Sequence, residues 1–271
     1  MNVMFNIMIS LKGFFEKYRT AVTSILFLFI IFIFLNIFFH LDGYYRERMS
    51  EQLTCMTECG SEPDGSSCIS AAAGSDIVFR SGNKSGNDLA ITCNVDWGED
   101  VIPEMLDILE EYNVKITFFV TGKWAEKNSD LLRLMYMKGH EIQSHGYSHK
   151  LCSQVTADEV SSEMDKASDI ISRIIGKRPD IFAPPSGDFD DATVALCREK
   201  GYLLSLWSAD TIDWREGSTA DVIYDRITKK DLHGAIILMH PKPETVKALP
   251  RLLDHFREQK LTPVTLSELI K

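Results

Sequence analysis

The sequence predicts an α/β fold, a parallel sheet or βα barrel, standing behind a single membrane-spanning helix. Three observations carry this. From residue 88 to the end, short apolar runs alternate with amphipathic stretches, the rhythm of strands crossing over to parallel neighbours through helices. Residues 20–41 contain no formally charged side chain, and about 20 such residues at 1.5 Å each span the ~30 Å core of a bilayer. Between these regions, residues 42–87 scatter glycine and serine with little apolar periodicity, which reads as a stalk.

Taken in order, residues 1–20 form a short cytoplasmic N-terminus, 21–40 a transmembrane helix, 41–87 an extracytoplasmic stalk and 88–271 the folded domain. Lys12, Lys17 and Arg19 precede the apolar run, Arg46 and Arg48 follow it, and Tyr44 and Tyr45 sit where interfacial anchors belong. A cleavable signal peptide would place small residues close behind the run; the first such cluster is Ala71 to Gly74. The expected location is therefore the cell membrane, single-pass, and three bases before the run against two after it lean weakly toward a domain outside. In the stalk, Cys55, Cys59 and Cys68 admit one disulfide with a spare thiol or three reduced cysteines.

The chain has 271 residues, with 39 acids against 29 bases and a net charge of −10. That balance argues against a nucleic-acid partner, which a basic face would clamp. No internal repeat is present.

Within the domain, strands are predicted at Leu89–Val95, Lys115–Val120, Glu141–Ser144, Asp180–Ala183, Tyr202–Trp207, Ala235–Met239 and Thr262–Leu266. Helices are predicted at Val101–Glu111, Lys123–Met137, Ala192–Lys200, Ala220–Lys229 and Thr245–Lys260. A further helix opens on Thr156 with Glu159 three residues on, a capping box, and stops at Gly176. In such folds chemistry gathers at the loops after the strands. Those loops carry Asp96 and Trp97, His145 and His149, Pro184 to Gly187, Asp210 with Asp213 and Trp214, and His240. Two neutral imidazoles opposite a carboxylate suit zinc or a similar divalent ion, and His240 can protonate a leaving amine.

These five segments in this order resemble the polysaccharide deacetylases of the NodB-homology type, carbohydrate esterase family four. Ile116-Thr-Phe-Phe-Val-Thr-Gly122, Gly139-His-Glu-Ile-Gln-Ser-His145 and Val264-Thr-Leu-Ser-Glu-Leu269 add to the likeness, which covers residues 87–270. Asn94-Val-Asp-Trp-Gly98 together with Phe182-Ala-Pro-Pro-Ser-Gly187 is similar to a divergent branch of that family. The resemblance implies a distorted (β/α)7 barrel, dependence on a divalent metal (zinc, with cobalt or manganese as alternatives) and hydrolysis of N-acetyl groups from an aminosugar polymer such as peptidoglycan. By the same likeness Asp96 is the general base, His240 the acid, Asp210 the carboxylate that orients His240, and His145 and His149 the metal ligands. Trp97, Pro185, Ser186, Gly187 and Trp214 would line the substrate site, with the Ser186 N–H as oxyanion donor.

Two departures stand out. Trp97 occupies the position of the family's aspartate ligand, and Ala183 that of the arginine beside the base. Shifting the frame makes Asp96 a ligand and leaves no base. Glu99, Asp100 and Asp188 are the candidate substitutes. The alternative function is a catalytically degenerate protein that binds cell-wall glycan without turnover.

Overall fold

The computed structural model describes residues 77–271. The predicted N-terminus, membrane helix and most of the stalk, with its three cysteines, lie outside the described residues. Among those described, no helix is long and apolar enough to cross a membrane.

Nine strands form one sheet: β1 Val78–Phe79, β2 Asp88–Val95, β3 Thr117–Val120, β4 Glu141–Ser144, β5 Ile181–Phe182, β6 Leu203–Ser205, β7 Ala209–Asp210, β8 Ile236–Met239 and β9 Thr262–Val264. Their order is β1-β6-β5-β4-β3-β2-β8-β7, with β9 added to β2. Every strand pair is parallel. An antiparallel bridge from Ser81 to Ala235, beside the Gly82 N–H bond to the Gly234 carbonyl (2.7 Å), ties the β1 end of the path back to the β8 side. The sheet is thus a curled parallel half-barrel, as the (β/α)7 expectation requires. β2 has every residue after Asp88 buried, the signature of a strand covered on both faces.

Eight helices surround it: α1 Ile102–Glu111, α2 Gly122–Lys127, α3 Ser129–Met137, α4 Ala157–Ile175, α5 Asp191–Lys200, α6 Ala220–Thr228, α7 Pro243–Glu258 and α8 Leu266–Leu269. The α4 termini are as read: both halves of the Thr156–Glu159 box form, and Gly176 stops the helix at φ 74°. In α7 the sequence reads three buried leucines, Leu249, Leu252 and Leu253, on one face, and Pro243 at the first turn costs no hydrogen bond.

Two expectations change. The single helix over 123–137 is two, because Asn128 (φ −120°, ψ 39°) leaves helical geometry and its amide donates to the Trp124 carbonyl (3.1 Å). The stalk does not run to residue 87: Val78 and Phe79 pair with Leu204 and Ser205 and belong to the sheet. A two-residue strand is too short to show a period of two, so composition alone gave it away to the stalk.

Candidate functional site

The C-terminal ends of β2, β4, β5, β7 and β8 bring the predicted residues to one side of the sheet. After β2, Asp96 accepts a hydrogen bond on Oδ1 from the hydroxyl of buried Thr121 (2.6 Å), which caps α2. Trp97 follows and remains 40% exposed. Gly98 has φ +90°, and a Cβ there would lie 2.6 Å from Pro241, so the β2 loop is pressed against the β8 loop where only glycine fits.

After β4 comes the histidine turn. His145 is buried, and its Nδ1 bonds the Ala183 carbonyl at 2.7 Å, which places the proton on Nδ1 and leaves the Nε2 lone pair for a ligand. Burial first, then the neighbouring His149 and His240, lower its pKa from 6.5 to about 3, so it is neutral across the physiological range. The His145 and His149 rings stand edge-to-face, centroids 5.1 Å apart. Gly146 between them takes φ +74°, which explains a glycine where the family has serine or threonine. Glu163 of α4 clasps this turn, accepting from the Tyr147 N–H (3.2 Å), the Ser148 N–H (2.6 Å) and the Ser148 hydroxyl (2.7 Å).

After β8, His240 bonds through Nδ1 to Oδ1 of Asp213 at 2.7 Å. Asp213 Oδ2 accepts from the His240 N–H (2.7 Å) and the Thr245 hydroxyl (2.8 Å). Burial opposes charge on Asp213, but these bonds and the adjacent imidazole outweigh it and hold its carboxyl below the usual range. The orienting carboxylate is therefore Asp213, a correction of the role read onto Asp210. Asp210 lies two residues short of the bend and turns its Oδ1 to the Ile212 N–H (2.7 Å); burial raises its pKa. Ile212 itself sits at φ +49°, a strained conformation for a β-branched residue. Ser218 donating to its carbonyl (2.7 Å) and Arg226 donating to the Thr211 carbonyl hold the bend. The bend brings the Asp213 carboxylate onto His240 and leaves Trp214 56% exposed beside it.

After β5, Pro184 to Gly187 make a tight turn with Ser186 at φ +56° and Gly187 at φ +69°; a Cβ on Gly187 would meet Trp207 at 2.8 Å. Trp97 lies nearly parallel to the His240 ring, centroids 6.1 Å apart and planes 13° apart.

A tightly held divalent ion asks for three protein donors. Among the described residues no three His, Cys, Asp or Glu side chains come together as such a set. Asp188 is engaged by the Ser153 N–H and hydroxyl, both at 2.7 Å, and Asp96 by Thr121. Trp97 has no lone pair to offer. The residues present do not fit a resident divalent ion, and His145 and His149 stand as two donors only.

Asp213, Thr121, Glu163 and Thr245 make the contacts at this site that sequence reading missed or misassigned. Asp213 was visible as the second acid of Asp210-Thr-Ile-Asp213; the other three are ordinary polar residues with no local signal.

Residues 81–204 match the family model described as polysaccharide deacetylase. YlxY of Bacillus subtilis (strain 168) is 36% identical over 189 residues, 70% of this chain and 59% of its own length, so the chain spans less than two thirds of that relative. A peptidoglycan-N-acetylglucosamine deacetylase of Bacillus cereus is 30% identical over 192 residues, 68% of this chain and 70% of its own length. Among solved structures, a protein described as a CE4 family pseudoenzyme from Bacillus anthracis superposes with a TM-score of 0.70 at 30% identity, covering 72% of this chain and 69% of that one.

Proposed function

Because the chain belongs to the polysaccharide deacetylase family, in its NodB-homology, carbohydrate esterase four branch, we propose that its site removes N-acetyl groups from an aminosugar polymer of the bacterial wall such as peptidoglycan. The observation that supports this most is the Asp213–His240 pair, a buried, charged carboxylate fixed on Nδ1 of a half-buried imidazole that leaves Nε2 free to carry a proton. A glycan site with no chemistry to perform has little use for such a pair.

The residues supply each step of amide hydrolysis. Asp96, steadied on one oxygen by Thr121, takes a proton from a water that adds through its oxygen to the acetyl carbonyl carbon. The Ser186 N–H, in a turn of left-handed backbone, donates to the oxyanion. As the C–N bond breaks, His240 passes its proton to the departing amine, and acetate is released. No step here runs through a metal ion.

A second reading is favoured by Trp97. Its indole lies along His240 in the position of a family ligand, an arrangement that fits glycan binding without turnover. One experiment separates the two: acetate release by the purified full chain from N-acetylglucosamine oligomers and from peptidoglycan, with and without added zinc, cobalt or manganese. Acetate that disappears in His240→Ala and Asp96→Asn supports hydrolysis. No acetate while glycan binding persists supports the binding reading. The proposed anchor at 21–40 sets the domain beside the wall outside the cell; a chain recovered in the soluble fraction, or with a mature start beyond residue 41, would refute that placement.

A further inference from the structure

Two indoles are exposed, Trp97 stacked along His240 and Trp214 next in sequence to Asp213, whereas Trp124 is buried. An exposed indole at a cleft offers a flat apolar face to the C–H face of a sugar ring. Trp97 has a further neighbour: the Lys242 ammonium lies 5.3 Å from its ring centroid.

Lys242 is firmly placed. Its N–H bonds the His240 carbonyl at 2.9 Å, Pro241 before it packs on Gly98, and Pro243 after it opens α7. The acid nearest in sequence, Glu244, is occupied by Lys247 (2.6 Å) and the Ala220 N–H (2.9 Å). Among the described residues no carboxylate pairs with Lys242. A chain of net charge −10 thus presents, two residues from His240, a cation on an aromatic shelf with its charge unspent.

We propose that Trp97 and Lys242 select an aminosugar residue that carries a carboxylate close to its ring, such as an O-lactyl ether. The pyranose lies on the indole, and the carboxylate meets the ammonium. This rests on the glycan reading above and sharpens it: a neutral N-acetylglucosamine run satisfies Trp97 but leaves Lys242 unmatched, while an acidic aminosugar satisfies both.

The test is a fluorescence titration of the full chain with two probes: N-acetylglucosamine tetramer, and peptide-free glycan strands whose alternate sugars bear a lactyl carboxylate. One charge-assisted contact predicts an affinity about tenfold higher for the acidic strand at low salt, with the preference shrinking at roughly 0.5 M salt as screening rises. Lys242→Gln should bring the two affinities together by weakening the acidic strand, Lys242→Arg should keep them apart, and Trp97→Ala should weaken both. Equal affinities in the unaltered chain, or a preference that survives Lys242→Gln, would overturn the proposal. Binding to neither probe would overturn the glycan reading, and this inference with it.

Discussion

Asp213 carries more of the site than its place in the sequence suggests. Its side chain is wholly buried, and it accepts hydrogen bonds from the His240 ring, the His240 backbone and Thr245. Asp213→Asn keeps the shape and removes the charge that favours the imidazolium. Acetate release should fall about tenfold or more while glycan affinity stays close to that of the unaltered chain; unchanged acetate release would mean that the carboxylate charge does not serve His240. Two other histidines set how the fold responds to acid. Burial, followed for His140 by Lys115 and Lys138, lowers the pKa of His140 from 6.5 to about 4 and that of His145 to about 3. Between those values and 6.5 the unfolded chain binds protons that the folded one refuses. Stability is therefore full above pH ~6.5 and falls as pH drops toward 4, by up to about 1.4 kcal/mol per pH unit for each histidine. His140 accepts the Ile116 N–H on Nδ1 (3.2 Å), a contact that an asparagine oxygen can imitate. His140→Asn should roughly halve the slope of unfolding free energy against pH, measured by urea titration, and an unchanged slope would exclude His140 as a source.

At the scale of elements, the site is assembled by contacts between a loop and a helix distant in sequence. Glu163 on α4 binds three donors of the histidine turn. Glu163→Ala leaves two backbone N–H groups and a hydroxyl without it, and the loss of a multiply bonded carboxylate is worth ~1–3 kcal/mol. The expected outcome is a chain that still folds, with faster amide exchange at Tyr147 and Ser148; unchanged exchange at both would show that the turn holds itself. The same example marks what sequence reading reaches. The α4 ends were legible because a capping box and a left-handed glycine are local events within a few residues. The ends of β2 and β8 were legible because each closes an apolar run on a polar side chain, Asp96 and His240. The partnership of Glu163 with residue 148, or of Thr121 with Asp96, is fixed only once α4, β2 and β3 lie side by side. Even the Asp210 reading failed by a local bend: Ile212 at φ +49° shifts the reach of the loop to its second acid, and nothing in an isoleucine announces a left-handed backbone.

For the whole molecule, the decisive feature is how the curled sheet treats its edges. The seven strands β6-β5-β4-β3-β2-β8-β7 have the parallel order of the barrel, yet they leave the far side of β6 open. The segment 77–82 covers it. The Leu204 and Leu206 N–H groups bond the carbonyls of Ile77 (2.7 Å) and Phe79 (2.8 Å), and Ser81 and Gly82 then reach Ala235 and Gly234 beside β8. Gly82 lies so close to Leu269 that a Cβ would sit 2.6 Å from its Cγ, so the same segment also packs on α8. A folded domain that starts at residue 88, where the apolar rhythm begins, would expose the unpaired N–H groups of Leu204 in β6 and of Leu206 just beyond it, uncover the Leu269 end of α8 and present a bare strand edge for pairing with another chain. Each lost bond, its N–H then solvated by water, costs about 0.5–1.5 kcal/mol, and the uncovered apolar surface adds to this. A fragment covering 77–271 should therefore melt at higher temperature and stay monomeric, while one covering 88–271 should lose stability by several kcal/mol and associate in light scattering. Equal melting temperatures for the two fragments would show that the segment merely lies on the sheet edge. A large gap would place the lower boundary of the domain at 77, inside what composition alone assigns to the stalk, and would make this short strand the closing stave of the half-barrel that holds the five loops of the site in register.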